Sequence, residues 1–321
     1  MNTITRLVLS LAVALSCGVA MAQGYPTKPI RIMVPWPPGG VTDVLARAVA
    51  QQMSDSMGQQ VVIENRPGAG GTIGVGIIAK AVPDGYSLVM TDVPSHAISA
   101  TLYTKLPYDV IRDFEPITMV AGSPMVLSTS PSLNVKTVRE FIELARSRQT
   151  KLAYASSGNG SITHLAMERF KRMAGIDMLH VPYKGTVPAI TSVLAGDSAV
   201  AFGTIPGVVP FAKAGKLVLL GGSFATRFPQ IPDVPAIAET ISGYDIGFYT
   251  GLFAPAKTPR EIIDRVYAET RKALAHPKTL EIFAGSAAQP GNMTVAQFQE
   301  YVANEVKAWG EVVKSVGLKV D

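Results

Sequence analysis

Two segments of this chain combine glycines with hydroxyl, imidazole and acidic side chains in patterns that can hold a small anion. The first reads Pro35-Trp36-Pro37-Pro38-Gly39-Gly40-Val41-Thr42-Asp43; the second reads Ser156-Ser157-Gly158-Asn159-Gly160-Ser161, followed by His164. Glycine lets bare backbone approach a bound group and proline stiffens the approach. A helix starting at such a turn presents unpaired N–H groups and its positive end, and Thr42 or Asp43 can cap the helix that follows the first segment. That segment lacks the Gly-Lys-Ser/Thr ending of a nucleotide loop, so phosphate is not the first choice of anion. Ser161 and His164 fall on one face of a first helical turn and, with Ser157 to Gly160, can offer hydroxyl, imidazole and N–H donors to a carboxylate. Each segment also has a plainer reading: a tight turn before a helix, with a capping serine and a packed histidine.

Weaker candidates surround these two. Ser95 and His96 follow an apolar strand and can either donate to a ligand or cap the next helix. Tyr183 supplies a flat wall with a donor at its tip and Lys184 a cation, although a solvated lysine is the commoner case. Gly203 and Thr204 stand at the end of a further strand. Hydrolysis is disfavoured: the four histidines, His96, His164, His180 and His276, accompany neither G-x-S-x-G nor H-E-x-x-H, and Ser161 with His164 has no evident third partner. No catalytic residue, metal site or cofactor is expected.

These residues must be held by alternating strands and helices. Ile30–Val34 is a β-branched run, and Val44, Leu45, Ala48, Val49 and Met53 then recur at helical spacing, so the first glycines sit at a strand's carboxyl end. Open α/β sheets bind ligands at that edge. Val61–Asn65 and Ser87–Thr91 are further strands. Between them Arg66–Gly74 does not spell G-x-G-x-x-G, because Ile73 stands where the third glycine belongs, and a dinucleotide site is excluded. Residues 151–155, 199–202 and 217–220 read as strands, Ile162–Ala174 and Thr186–Ala195 as helices. Pro116–Ser128 and Ile246–Phe253 read as extended crossings between two lobes. Capping boxes at Thr137/Glu140, Thr258/Glu261 and Thr294/Gln297 open helices, the last two over Pro259–Ala275 and Val295–Val316.

Composition bounds the rest. Met1–Ala22 has one basic residue, Arg6, an apolar run and Ala20-Met21-Ala22, the pattern of a secretory leader cut before Gln23. Cys17, the sole cysteine, lies inside it on a poor lipobox, so the mature chain is expected to lack disulfides and thiol ligands. Loss of Arg6 takes the formal charge from +5 to +4, without basic blocks, and nucleic acid is not indicated.

Taken in order, Pro35–Gly40 with Asp43, Glu64–Gly71, Pro83-Asp84-Gly85-Tyr86, Leu106-Pro107-Tyr108-Asp109, Tyr154–Ser161 with His164, and His180-Val181-Pro182-Tyr183-Lys184-Gly185 resemble the solute-binding proteins of tripartite tricarboxylate transporters, the TctC or Bug (Bordetella uptake gene) family. The resemblance implies an α/β periplasmic binding protein of type II. Each of its two lobes is a mixed sheet flanked by helices, and two hinge crossings join them. Lobe I is expected over 23–122 and 248–321, lobe II over 123–247. It further implies a periplasmic monomer that captures a small mono- or dicarboxylate, aromatic acids included, and delivers it to membrane permease subunits. A subunit signalling to a membrane sensor is the alternative. In the family, the loops matching Trp36–Asp43 and Ser157–His164 hold the ligand. Many relatives carry an acid at the position of Gly203, able to meet a ligand ammonium, so a ligand without an amino group is expected here.

Overall fold

The computed structural model describes residues 24–147 and 152–320; the leader expected over Met1–Ala22, with Cys17 and the cut before Gln23, lies outside them. Period-two burial organises the first sheet. Ile30, Ile32 and Val34 of strand β1 (Ile30–Val34) pack with Leu45, Val49 and Met53 of helix α1 (Val41–Met57). Met33 turns to the opposite face, with Val89, Phe114, Phe253 and Phe298. Both faces are covered, which is why the run reads as almost continuously apolar.

Along the chain follow β2 (Val61–Asn65), α2 (Thr72–Ala79), β3 (Ser87–Asp92), α3 (Val93–Leu102), β4 (Phe114–Ser123), β5 (Met125–Thr129), α4 (Val138–Ser147), β6 (Ala153–Ser156), α5 (Ile162–Ala174) and β7 (Leu179–Pro182). Then come α6 (Thr186–Ala195), β8 (Val200–Thr204), α7 (Ile205–Lys213), β9 (Val218–Gly222), β10 (Phe248–Pro255), α8 (Arg260–Ala275), α9 (Pro277–Gly285), β11 (Gln289–Pro290) and α10 (Val295–Val316). One sheet has the order β11-β4-β10-β3-β1-β2 and the other β7-β6-β8-β5-β9. Both are mixed: β1 runs parallel to β2 and β3 while β10 is antiparallel to β3 and β4, and β6 runs parallel to β7 and β8 while β5 is antiparallel to β8 and β9.

The segment Pro116–Ser128, expected as one crossing, is two strands of different sheets. Ser123 pairs with Phe248 in the first sheet and Met125 with Thr204 in the second, so the chain changes sheets at Pro124. It returns between Gly222 and Phe248. The two passages are tied together at Ser223: its N–H donates to the Met125 carbonyl (2.8 Å), its hydroxyl accepts from the Met125 N–H (2.9 Å) and donates to the Ile246 carbonyl (2.8 Å). Ser223 is fully buried, so each of these groups depends on this knot.

Helix starts followed the sequence signals unevenly. The Thr294/Gln297 capping box forms in both directions. The Thr258/Glu261 box does not: the Thr258 hydroxyl donates to the Pro255 carbonyl instead, and α8 begins after Pro259.

Candidate functional site

The parallel strands β1 and β3 deliver Pro35–Gly40 and Asp92 to one edge of the first sheet, and β6 and β7 deliver Ser157–Ser161 and Tyr183–Gly185 to an edge of the second. Between them lies a chamber of ≈ 280 Å³ walled by Trp36, Pro37, Pro38, Gly40, Val41, Thr42, Asp92, Ser157, Ile162, Gly185, Thr186, Val187, Pro188 and Phe248. Trp36, Pro37, Ser157 and Gly185 also border an adjoining recess of ≈ 360 Å³ that runs along Gly158, Asn159, Tyr183, Lys184 and Tyr103.

The first loop owes its shape to Asp43. The carboxylate accepts from Gly39 N–H (3.0 Å), Arg47 Nε (3.0 Å) and Asn65 Nδ2 (2.9 Å), and Asn65 Nδ2 also donates to the Trp36 carbonyl (3.1 Å). Burial alone would raise the Asp43 pKa, but the bonds from Arg47, Gly39 and Asn65 outweigh it and hold the group ionised below its usual range. Asp43 is therefore spent on fixing the turn, and does not line the chamber. Gly39 adopts φ +82°, a left-handed conformation that a β-branched side chain resists. Gly40 is the N-cap of α1 and no side chain caps that helix, whose first-turn residues Val41 and Thr42 border the chamber.

The second loop behaves differently from expectation. Ser157 N–H donates to Thr163 Oγ1, Gly158 N–H to Ser156 Oγ, Gly160 N–H to His164 Nδ1 and His164 N–H to Ser161 Oγ. Ser161 Oγ donates to the Gly158 carbonyl at 2.7 Å, and the His164 ring stacks on His180 with centroids 3.8 Å apart. Burial lowers the His164 pKa to about 3, so the ring stays neutral and accepts. Ser161 and His164 are thus consumed in building the loop, and it meets the chamber and recess through Ser157, Gly158, Asn159 and Ile162.

The N-terminus of α6 takes the opposite wall. Gly185, at φ +124°, is the N-cap of α6 and again no side chain caps the helix. A Cβ there would stand 2.9 Å from Pro37 Cγ of the facing loop. Two uncapped helix N-termini, one from each sheet's layer, therefore border one chamber. Elsewhere the two layers touch directly: Ile162 N–H donates to Ser95 Oγ (3.0 Å), and the Tyr103 hydroxyl reaches the carbonyls of Ala69 (2.8 Å) and Asn159 (3.3 Å).

The remaining expected residues divide clearly. Tyr183 and Lys184 border the recess, with Lys184 exposed. Ser95 serves the contact to Ile162. His96 lies away from the chamber in a nest of Tyr108, Phe114 and Phe253, its Nε2–H donating to the Val110 carbonyl (2.9 Å), and burial lowers its pKa to about 4. Gly203 is inside β8, where a Cβ would meet Val208 at 2.4 Å and Ile190 at 2.9 Å, so it faces the helices covering the sheet and not the ligand space; Thr204 is the N-cap of α7 outside the chamber. Absence of an acid at 203 consequently says nothing about charge in the chamber.

The acid that does line it is Asp92. Its Oδ2 accepts from the Ser95 N–H (3.0 Å), capping α3, while Oδ1 has no partner among the described residues. Burial raises its pKa to about 6, partly offset by Ser95 and by the nearby Trp36 indole, whose Nε1–H nevertheless completes no hydrogen bond among the described residues. Asp92 was legible only as a polar strand end; its inward direction follows from the strand's pairing, which the sequence does not spell out. No group of three metal-ligating side chains occurs among the described residues.

A ligand-sized chamber walled by loops from two mixed sheets defines a solute-binding protein. Residues 45–318 match the family described as tripartite tricarboxylate transporter family receptor, and the chain belongs to that family, one of substrate-binding receptors rather than enzymes. BugT of Bordetella pertussis is 34% identical over 98% of this chain and 99% of its own length. The periplasmic binding protein BugD has a TM-score of 0.86 at 30% identity, covering 92% of this chain and 99% of BugD. Rpa4515 of R. palustris, solved with adipate, has a TM-score of 0.87 at 33% identity, covering 92% of this chain and 99% of its own.

Proposed function

We propose that the chain captures a small carboxylate between its two sheet layers in the periplasm and hands it to permease subunits of the tripartite tricarboxylate type. The observation that carries this reading is the pair of uncapped helix N-termini, α1 at Gly40 and α6 at Gly185, bordering one chamber. Each offers backbone donors and a positive end to an anion. Micromolar capture needs about 8 kcal/mol. A charge-assisted hydrogen bond contributes roughly 1.5 to 3 kcal/mol and a helix end about 0.3 to 1, before the ordering costs of closure. One seat with two or three donors falls short, and two seats reach it. The adipate bound by Rpa4515 supports the ligand class.

In this reading residues 23–122 with 248–321 form one lobe and 123–247 the other, Pro124 and the stretch from Ser223 to Gly247 acting as the hinge. Residues 1–22 form a leader removed before Gln23, which N-terminal sequencing of the exported protein checks. A thermal-shift panel of mono- and dicarboxylates, each with and without an amino group, tests the ligand class, because ligand at ~100 times its dissociation constant adds about 2.7 kcal/mol to the folded state. At least one acid is expected to raise the melting temperature; a flat response across the panel would overturn the reading.

A further inference from the structure

The geometry points to Asp92 as a specificity residue that pairs with a cationic N–H donor on the ligand, so that the preferred ligands are small amino carboxylates and not plain mono- or dicarboxylates. This rests on the carboxylate reading above and names the head group it had left open.

Three observations support it. First, Asp92 is fully buried, lines the chamber, and keeps Oδ1 without a hydrogen-bond partner among the described residues. Buried polar atoms are almost always paired, and an idle carboxylate oxygen is among the least tolerated exceptions. Capping α3 does not account for it, since serine or asparagine caps as well without burying a charge. Second, Asp92 is the one charged side chain among the described residues of the chamber wall, whose other members are Trp36, prolines, glycines, Val41, Ile162, Val187, Phe248 and hydroxyl groups. No arginine or lysine neutralises it there, and in apolar surroundings its natural complement is a cation brought by the ligand. A second carboxylate pointed at it would be repelled. Third, Trp36 borders the same chamber, and its buried Nε1–H, close enough to Asp92 to favour the charged carboxylate, is likewise without a hydrogen-bond partner among the described residues. An idle acceptor and an idle donor side by side match an ammonium and a carboxylate on one carbon. The helix ends of α1 and α6 remain for the carboxylate oxygens. Burial alone would push the group toward its neutral form, which a bound ammonium would reverse.

The test is calorimetric titration of wild type and Asp92→Asn with matched triples: an unsubstituted aliphatic acid, its α-amino counterpart, and the corresponding amine without the carboxylate. Asparagine keeps the α3 cap, and an unchanged far-UV spectrum and cooperative melt show that the variant folds. Wild type is expected to bind the amino acid of a triple at least roughly tenfold tighter than the unsubstituted acid, and Asp92→Asn to erase that ratio by weakening only the amino acid. Equal or tighter binding of the unsubstituted acids, with Asp92→Asn without effect on the ratio, overturns the assignment and leaves the carboxylate reading standing. If neither kind of acid binds, the carboxylate reading fails. The assignment then stands only if the bare amine binds wild type and not the variant, and falls if it binds neither or both.

Discussion

Asp92 also carries a stability signature that needs no ligand. Its folded pKa, about 6, lies above the ordinary value of 3.8, so the native state holds a proton more tightly than the unfolded chain. The stabilisation from this group is full below pH 3.8 and is lost as pH rises through 6, a difference of up to about 3 kcal/mol. Asp92→Asn should therefore raise urea-unfolding stability at pH 7.5, with the advantage shrinking toward zero as pH approaches 4. No gain at pH 7.5 would mean that the carboxylate is better compensated than its geometry indicates. His96 works in the opposite sense. Held near pKa 4 against 6.5 in the unfolded chain, it stays neutral in the core, and the stability it permits above pH 6.5 is lost as pH falls toward 4. In Asp92→Asn, with the opposing carboxylate removed, destabilisation between pH 6.5 and 4 should be steeper than in wild type.

At the scale of elements, the knot at Ser223 joins both passages between the sheets, and its hydroxyl is the only side-chain group in it. Ser223→Ala leaves the Met125 N–H and the Ile246 carbonyl short of a partner in a dry site, and should destabilise by about 1–3 kcal/mol in urea melts. A change below about 0.5 kcal/mol would indicate that water replaces the hydroxyl. Most elements could be read from the sequence because the central strands of both sheets are buried on both faces and several helices carry their own start signals. The Pro35–Gly40 loop was legible because its prolines fix φ and break regular pairing while Gly39 and Gly40 admit the turn into the helix, Gly39 at φ +82°. What the sequence concealed was allegiance and direction. Pro116–Ser128 looks like one strand because Phe114–Ser123 and Met125–Thr129 are equally apolar, although they belong to different sheets. Ser161 and His164 have the right chemistry for a ligand, but the Ser161 hydroxyl donates to the Gly158 carbonyl and His164 Nδ1 accepts from the Gly160 N–H within the loop. Gly185 and Asp92 were visible as a turn and a strand end, and only tertiary pairing brings them to the chamber.

At the scale of the whole molecule, the two layers approach each other closely around the chamber. A Cβ at Gly160 would stand 2.2 Å from Leu102, and one at Gly70 would stand 2.5 Å from the Asn159 carbonyl, so these positions stay bare where the layers meet. Such contacts and the two passages at Pro124 and Ser223 are what the proposed closure would use, with both seats engaged together. The most direct measurement is amide chemical-shift mapping of the isotopically labelled protein titrated with the best carboxylate from the thermal-shift panel. The N–H signals of Val41 and Thr42 should move with those of Thr186 and Val187, on one saturation curve. Shifts confined to one helix end, or centred on Ser161 and His164 with both helix ends silent, would contradict the two-seat chamber.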